Sequence, residues 1–246
     1  MPPVPVKREA VLRKVLNMSD EPLESPLNPL PPLILALFVV MMAIEALFQL
    51  GTRGIIGGPS AVGWRQAALM DYAFQGQFPT FIVESGMWRA DFLLRFVSYP
   101  FVHASFTQAI FAGIMLLALG KYVGEVMAAF SVLALFVLCS VGGALAMWAL
   151  APGEAWLFGA FPPVYGLIGA FTYLLWVQLG VVGGPQIQAF TLIAVLAGIQ
   201  FVFGILFGFA QDWPADLGGF VTGLILAPLF APGGVTALVA KLRRRG

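Results

Sequence analysis

Six long apolar runs, separated by shorter polar segments, set the pattern of this chain. They cover roughly residues 31–50, 100–120, 127–150, 160–180, 187–209 and 215–232. Each is close to the ~20 residues that an α-helix needs to cross ~30 Å of hydrocarbon. The pattern predicts an all-α membrane protein: a polar tail at 1–29, a six-helix bundle at 30–235 and a basic tail at 236–246. Most connections are short. The exception, 51–99, is too rich in Gly, Arg and Gln to span, so it reads as a long semi-polar loop between the first and second helices. Its stretch from Trp64 to Phe78 suits a helix lying in the interface. Within the N-terminal tail, residues 6–18 are compatible with a short basic amphipathic helix, with Val6, Ala10, Leu12 and Val15 on one side; a flexible cytoplasmic tail is the simpler alternative.

Composition agrees with the pattern. The chain is 60% hydrophobic and 10% charged, with a mean hydropathy of +0.91, against about 25% charged residues in a soluble domain. Its net charge of +1 says nothing about nucleic acid, and no basic cluster interleaved with aromatics appears, so no nucleic-acid partner is expected. Cys139 and His103 are the lone cysteine and histidine, which excludes an internal disulfide and a multi-histidine metal site. No cofactor is expected. Lys7, Arg8, Arg13 and Lys14 precede the first span, Lys121 separates the second and third, and Lys241, Arg243, Arg244 and Arg245 end the chain. The other side holds Arg53, Arg65, Arg89 and Arg95. This bias predicts cytoplasmic termini, as an even number of spans requires. Trp148, Trp156 and Trp213 then fall near span ends on the far side, where an aromatic belt sits.

Small residues mark helix contacts. Gly219 and Gly223 form a Gly-x-x-x-Gly pair in the sixth span, and Gly166 with Ala170 a small-x-x-x-small pair in the fourth. Such pairs let backbones approach in lipid, so these two helices are expected to touch. Glu45 is an ionisable group deep in the first span, with Gln49 one turn later. Burial there is expensive and calls for a partner, either within the bundle or on another subunit.

The sequences Gly-Ala-Phe-Pro-Pro-Val-Tyr-Gly at 159–166 and Ala-Asp-Leu-Gly-Gly-Phe-Val-Thr-Gly at 215–223 resemble the fourth and sixth helices of rhomboid intramembrane serine proteases. The likeness extends over most of residues 30–232. Phe161 stands where the family motif Gly-x-Ser-Gly has its nucleophile, Pro162 replaces the following glycine, and Tyr165 is kept. Asp216 takes the place of the catalytic histidine, ahead of a retained Leu-Gly-Gly-Phe. Arg95 matches the arginine of the family's Trp-Arg element, with Leu94 in place of the tryptophan. His103 matches the first of two further family histidines; Gln108 replaces the second, and Ala112 replaces an asparagine that helps to bind the oxyanion. Glu125 lies one residue later than the family's usual glutamate after Gly120.

This resemblance implies a rhomboid bundle without rhomboid chemistry. Acyl transfer needs a nucleophile, a base within reach and donors aimed at the oxyanion. Phe161 has no lone pair, Pro162 has no N–H to donate, and Asp216 faces no hydroxyl or thiol in this alignment. Residue by residue, simpler roles are expected. Phe161 fills the old cavity, and Pro162 and Pro163 suit a first helical turn. Asp216 caps a helix N-terminus, and His103 anchors the 51–99 segment.

Inactive members of the family, derlins among them, recognise transmembrane helices without cutting them. The resemblance therefore implies a bacterial inner-membrane pseudoprotease that binds partner membrane proteins through helix contacts, in assembly, stabilisation or quality control. Glu45 and Gln200 are then candidates for reading polar residues of such partners. The alternative is a stoichiometric accessory subunit of a larger respiratory or photosynthetic complex. A transporter is disfavoured, since no inverted repeat or paired broken helices are visible. Oligomeric state is left open.

Overall fold

The computed structural model describes residues 29–151, 153, 155–207 and 212–232. The amphipathic pattern at 6–18 and the basic tail at 236–246 lie outside the described residues. Helix α1 (Pro32–Thr52) begins on prolines, which suit a first turn because its N–H groups have no helical partner. Helices α2 (Trp64–Tyr72), α3 (Phe78–Ser85) and α4 (Ala90–Ser98) follow. Then come α5 (Phe106–Val126), α6 (Ala129–Leu150), α7 (Phe161–Val181), α8 (Thr191–Phe207) and α9 (Trp213–Phe230). Among the described residues, α1, α5, α6, α7 and α9 are long and apolar enough to cross a membrane.

Three expectations need correction. The second span starts at Phe106 rather than 100. Pro100 sits in a 3-10 turn, Tyr99–Phe101, Val102 is extended, and the Ser105 hydroxyl caps α5 by accepting from the Gln108 N–H at 3.2 Å. The span expected at 187–209 opens on a 3-10 turn, Gln186–Phe190, behind Pro185, so α8 starts at Thr191, with 17 residues among those described. The 51–99 segment is not a loop but largely helical. Its expected interfacial helix from Trp64 to Phe78 stops at Tyr72. There the chain extends into β1 (Phe74–Gln75), which pairs antiparallel with β2 (Trp156–Leu157), and α3 restarts at Phe78-Pro79. The Trp148 indole N–H donates to the Thr80 hydroxyl at 2.9 Å and so ties α6 to α3.

Close backbone packing organises the bundle. The N-terminal half of α7 is buried on every side from Pro162 to Ala170, so it is the central helix. Against it lies α9, where the Gly166 carbonyl occupies the space that a Cβ on Gly223 would need, and the Pro162 carbonyl does the same at Gly219. The third close approach on α7 is at Gly169, which meets the backbone of Phe220 and Leu224; Ala170, the expected partner of Gly166, is fully buried in the main core beside Leu167. Helix α1 packs on α5 in the same manner. A Cβ on Gly120 would lie 2.6 Å from Ile34, and one on Gly113 2.8 Å from Phe38. Small residues thus supply contact area where apolar side chains gain nothing from leaving lipid.

Candidate functional site

The N-terminal ends of α7 and α9 converge with the 51–99 segment around Gly143 on α6. A side chain on Gly143 would meet the Pro162 ring at 2.7 Å, the Ala215 carbonyl at 2.9 Å and the Tyr99 hydroxyl at 3.3 Å. Pro162 follows Phe161 and Ala215 precedes Asp216, so the structure brings together the two stretches that carry the expected degenerate pair. Phe161 is half-buried and packs on the cluster of Tyr165, Ile168 and Phe220. Pro162 and Pro163 sit in the first turn of α7 behind Ala160, where their missing N–H groups forfeit no helical bond.

Asp216 lies in the first turn of α9, yet it is not the cap residue. That position belongs to Asp212, whose side chain makes no capping bond. Asp216 is 7% exposed, and its Oδ2 accepts from the Gln200 side-chain amide of α8 at 3.1 Å. Gln200 therefore has a partner within the chain. This pairing was beyond sequence reasoning because Gln200 sits in an uninterrupted apolar run whose rotation toward α9 no pattern fixes.

A second network fastens the 51–99 segment to the bundle. Arg65 Nη2 donates to Glu45 Oε1 at 2.5 Å and Nη1 to Oε2 at 2.9 Å. Gln49 Nε2 adds a bond to Oε1 at 3.1 Å. Glu45 is 2% exposed and has these partners within the chain. Arg65 was missed as its partner: it lies 20 positions away, in a segment whose fold periodicity did not reveal. Arg65 Nη1 also donates to the His103 carbonyl at 2.7 Å, and His103 Nε2 accepts from the Ala160 N–H at 3.3 Å. The chain of bonds therefore runs from α1 to the residue preceding Phe161.

Neighbouring groups hold the same junction. Gln108 Oε1 accepts from the Ala104 N–H at 2.9 Å, while Nε2 donates to the Phe158 carbonyl at 3.4 Å, so both ends of this amide are engaged. Gly159 has φ +90°, and a side chain there would strike Gln108 at 2.9 Å and His103 at 3.2 Å. Ala112 is fully buried in the main core, remote in character from any donor role. Arg95 Nη1 donates to the carbonyls of Met70 and Ala73 at 2.7 and 3.0 Å, and its guanidinium lies 4.8 Å over the Phe78 ring. It thereby closes the C-terminal end of α2, where a cation is favoured.

His103 is 1% exposed. Burial lowers its pKa to about 4, the Glu45 carboxylate opposing and the Arg65 guanidinium adding to the shift. An unfolded imidazole titrates near 6.5, so below that pH the unfolded chain binds a proton that the folded chain refuses. The neutral-histidine contribution is complete above pH ~6.5, declines as pH falls, and is gone near pH ~4, a loss on the order of 3 kcal/mol. Thermal unfolding in detergent at pH 7.5 and 4.5 should show that loss. In His103→Gln, which keeps an acceptor for Ala160, the pH dependence should flatten; an unchanged slope assigns it to other groups.

The Rhomboid domain model matches residues 90–233, more than half of the chain. No curated protein matches the sequence. The matched region begins at α4 and runs through α9, so it contains the junction of α7 and α9 around Gly143, while Glu45 and Arg65 lie before it. This multi-pass helical membrane protein belongs to the rhomboid family.

Proposed function

We propose that this chain is a non-catalytic rhomboid that holds transmembrane helices of partner proteins. The reading rests on one observation: the first turn of α7, where the family carries its nucleophile, is Phe161-Pro162-Pro163, with no hydroxyl or thiol. The base position supports it, because Asp216 is occupied by Gln200. Helix α8 supplies a surface for holding. It packs far more sparsely than the other long helices, and Val195, Ile199, Val202 and Ile205 are all more than half exposed. With the turn Gln186–Phe190 before it, α8 counts as a fifth of six spans in a bacterial inner membrane, both termini cytoplasmic. A client helix then enters between α5 and α8.

Fluorophosphonate labelling tests the absence of chemistry. The native protein should show none, and neither should Phe161→Ser, because Pro162 still lacks an N–H for the oxyanion. Labelling of the native protein that disappears on mutation of one serine overturns the reading. Native pull-down with mass spectrometry tests the holding role: exchangeable, substoichiometric membrane partners are expected, whereas one partner at fixed ratio through gel filtration would make the chain a structural subunit.

A further inference from the structure

We infer that Asp216 selects the client, taking up a lysine or arginine carried within the client's transmembrane helix, and that Gln200 occupies the carboxyl until such a client arrives. This rests on the client-holding reading above. Two acids in the bundle are treated differently. Glu45 receives a forked guanidinium from Arg65 and an amide from Gln49. Asp216 is nearly as buried, yet it receives one neutral amide bond at 3.1 Å. Among the described residues the ion pairs are Arg65–Glu45 and Arg89–Asp91, so neither Asp216 nor Asp212, one turn before it, has a cationic partner. An acid inside a membrane protein normally pairs with another charged group or lines a functional path. The N-terminus of α9 favours the carboxylate through its dipole but provides no counter-ion.

The place is reachable from lipid. Gln200 is exposed on α8 and is flanked by Ile199 and Phe201, each more than half exposed. Opening it breaks one hydrogen bond, from a neutral amide. A client cation would replace that neutral donor with one that also carries the missing counter-charge, and Asp212 adds negative potential at the same end. Asp216 is the fourth residue of α9, which sets it about 6 Å inside the helix end. The client's basic residue should therefore lie about one turn within the matching end of its span, near enough for a long side chain to reach across.

The test uses the full chain in nanodiscs with a photo-crosslinking residue at position 199. Three single-span leucine-alanine helices serve as baits, differing only in Lys, Leu or Glu one turn from that end; a fourth carries Lys at the opposite end. The Lys bait should crosslink about tenfold more than the Leu bait, a ratio in keeping with one bond to a charged group. The Glu bait should fall below Leu, and the opposite-end Lys should match it. Asp216→Asn should erase the preference, and Gln200→Leu should retain or raise it. Equal capture of Lys and Leu baits, or a preference that survives Asp216→Asn, overturns the inference and leaves client holding intact. Capture of no bait overturns both. The bait comparison uses the native sequence at positions 200 and 216, so it stands even if a variant fails to fold.

Discussion

Gly223→Val is expected to abolish the folded bundle, leaving protein that aggregates in mild detergent or runs as a broad species on gel filtration. The added Cβ would fall on the Gly166 carbonyl oxygen, with the Gly166 Cα only 2.8 Å away. Those atoms belong to backbone, so no rotamer change relieves the clash, and α7 or α9 has to move. Neither is free to do so. The Pro162 carbonyl is pressed into the gap at Gly219 one turn earlier, and Gly169 is sealed by the backbone of Phe220 and Leu224 one turn later. Overpacking a well-packed core typically costs about 1–3 kcal/mol where neighbours can give. Here three successive contacts are backbone on backbone, so the loss should exceed that range. Gly198→Ala provides the control: a Cβ there meets nothing within 4 Å, and replacing a helical glycine should raise stability by up to about 1 kcal/mol. Equal thermal stability of Gly223→Val and native protein would mean that the α7–α9 seam is looser than described.

That seam was legible in the sequence because its cause is local: small residues four apart on two apolar helices leave a visible mark. The same holds for α1, α6, α7 and α9, whose ends lie within two residues of the expected spans. What escaped depends on contacts distant in sequence. The two-residue strands β1 and β2 carry no periodicity, and they pair across Phe74–Leu157 and Gln75–Trp156. Without that pairing the 51–99 segment reads as loop, although Phe74 and Tyr99 are fully buried and join one core with Met147 and Leu157. The site was legible by position only. Phe161 and Asp216 were found through the motifs around them, whereas their surroundings are set by the packing of α8 and of the 51–99 segment. Gln200, a candidate for reading client residues, is exposed on α8, and its amide donates to Asp216, a pairing no sequence pattern announces.

Arg65→Met should be the most damaging single change in the second network, with a loss on the order of 3–5 kcal/mol, because it strands a buried carboxylate. Gln49 alone would remain to Glu45, at 3.1 Å. Glu45→Leu should cost less. The guanidinium it releases is 18% exposed, still donates to the His103 carbonyl at 2.7 Å, and rests 5.2 Å from the Phe48 ring centroid. Combining the two changes removes both charges at once and should recover most of the loss, since buried ion pairs are often replaceable by apolar residues of similar volume. A double-mutant cycle from thermal or denaturant unfolding gives the coupling directly, and it should lie near the upper end of the ~0.5–3 kcal/mol seen for residues in contact. Additive single losses would show that Arg65 acts through His103 rather than Glu45. The cycle also separates anchoring from recognition: the double variant keeps Asp216 and Gln200, so a Lys-bearing bait should still crosslink through position 199 even as the link from α1 to Ala160 is cut. Loss of that crosslink with full thermal stability would move the client site from α9 to the Glu45–Arg65 pair.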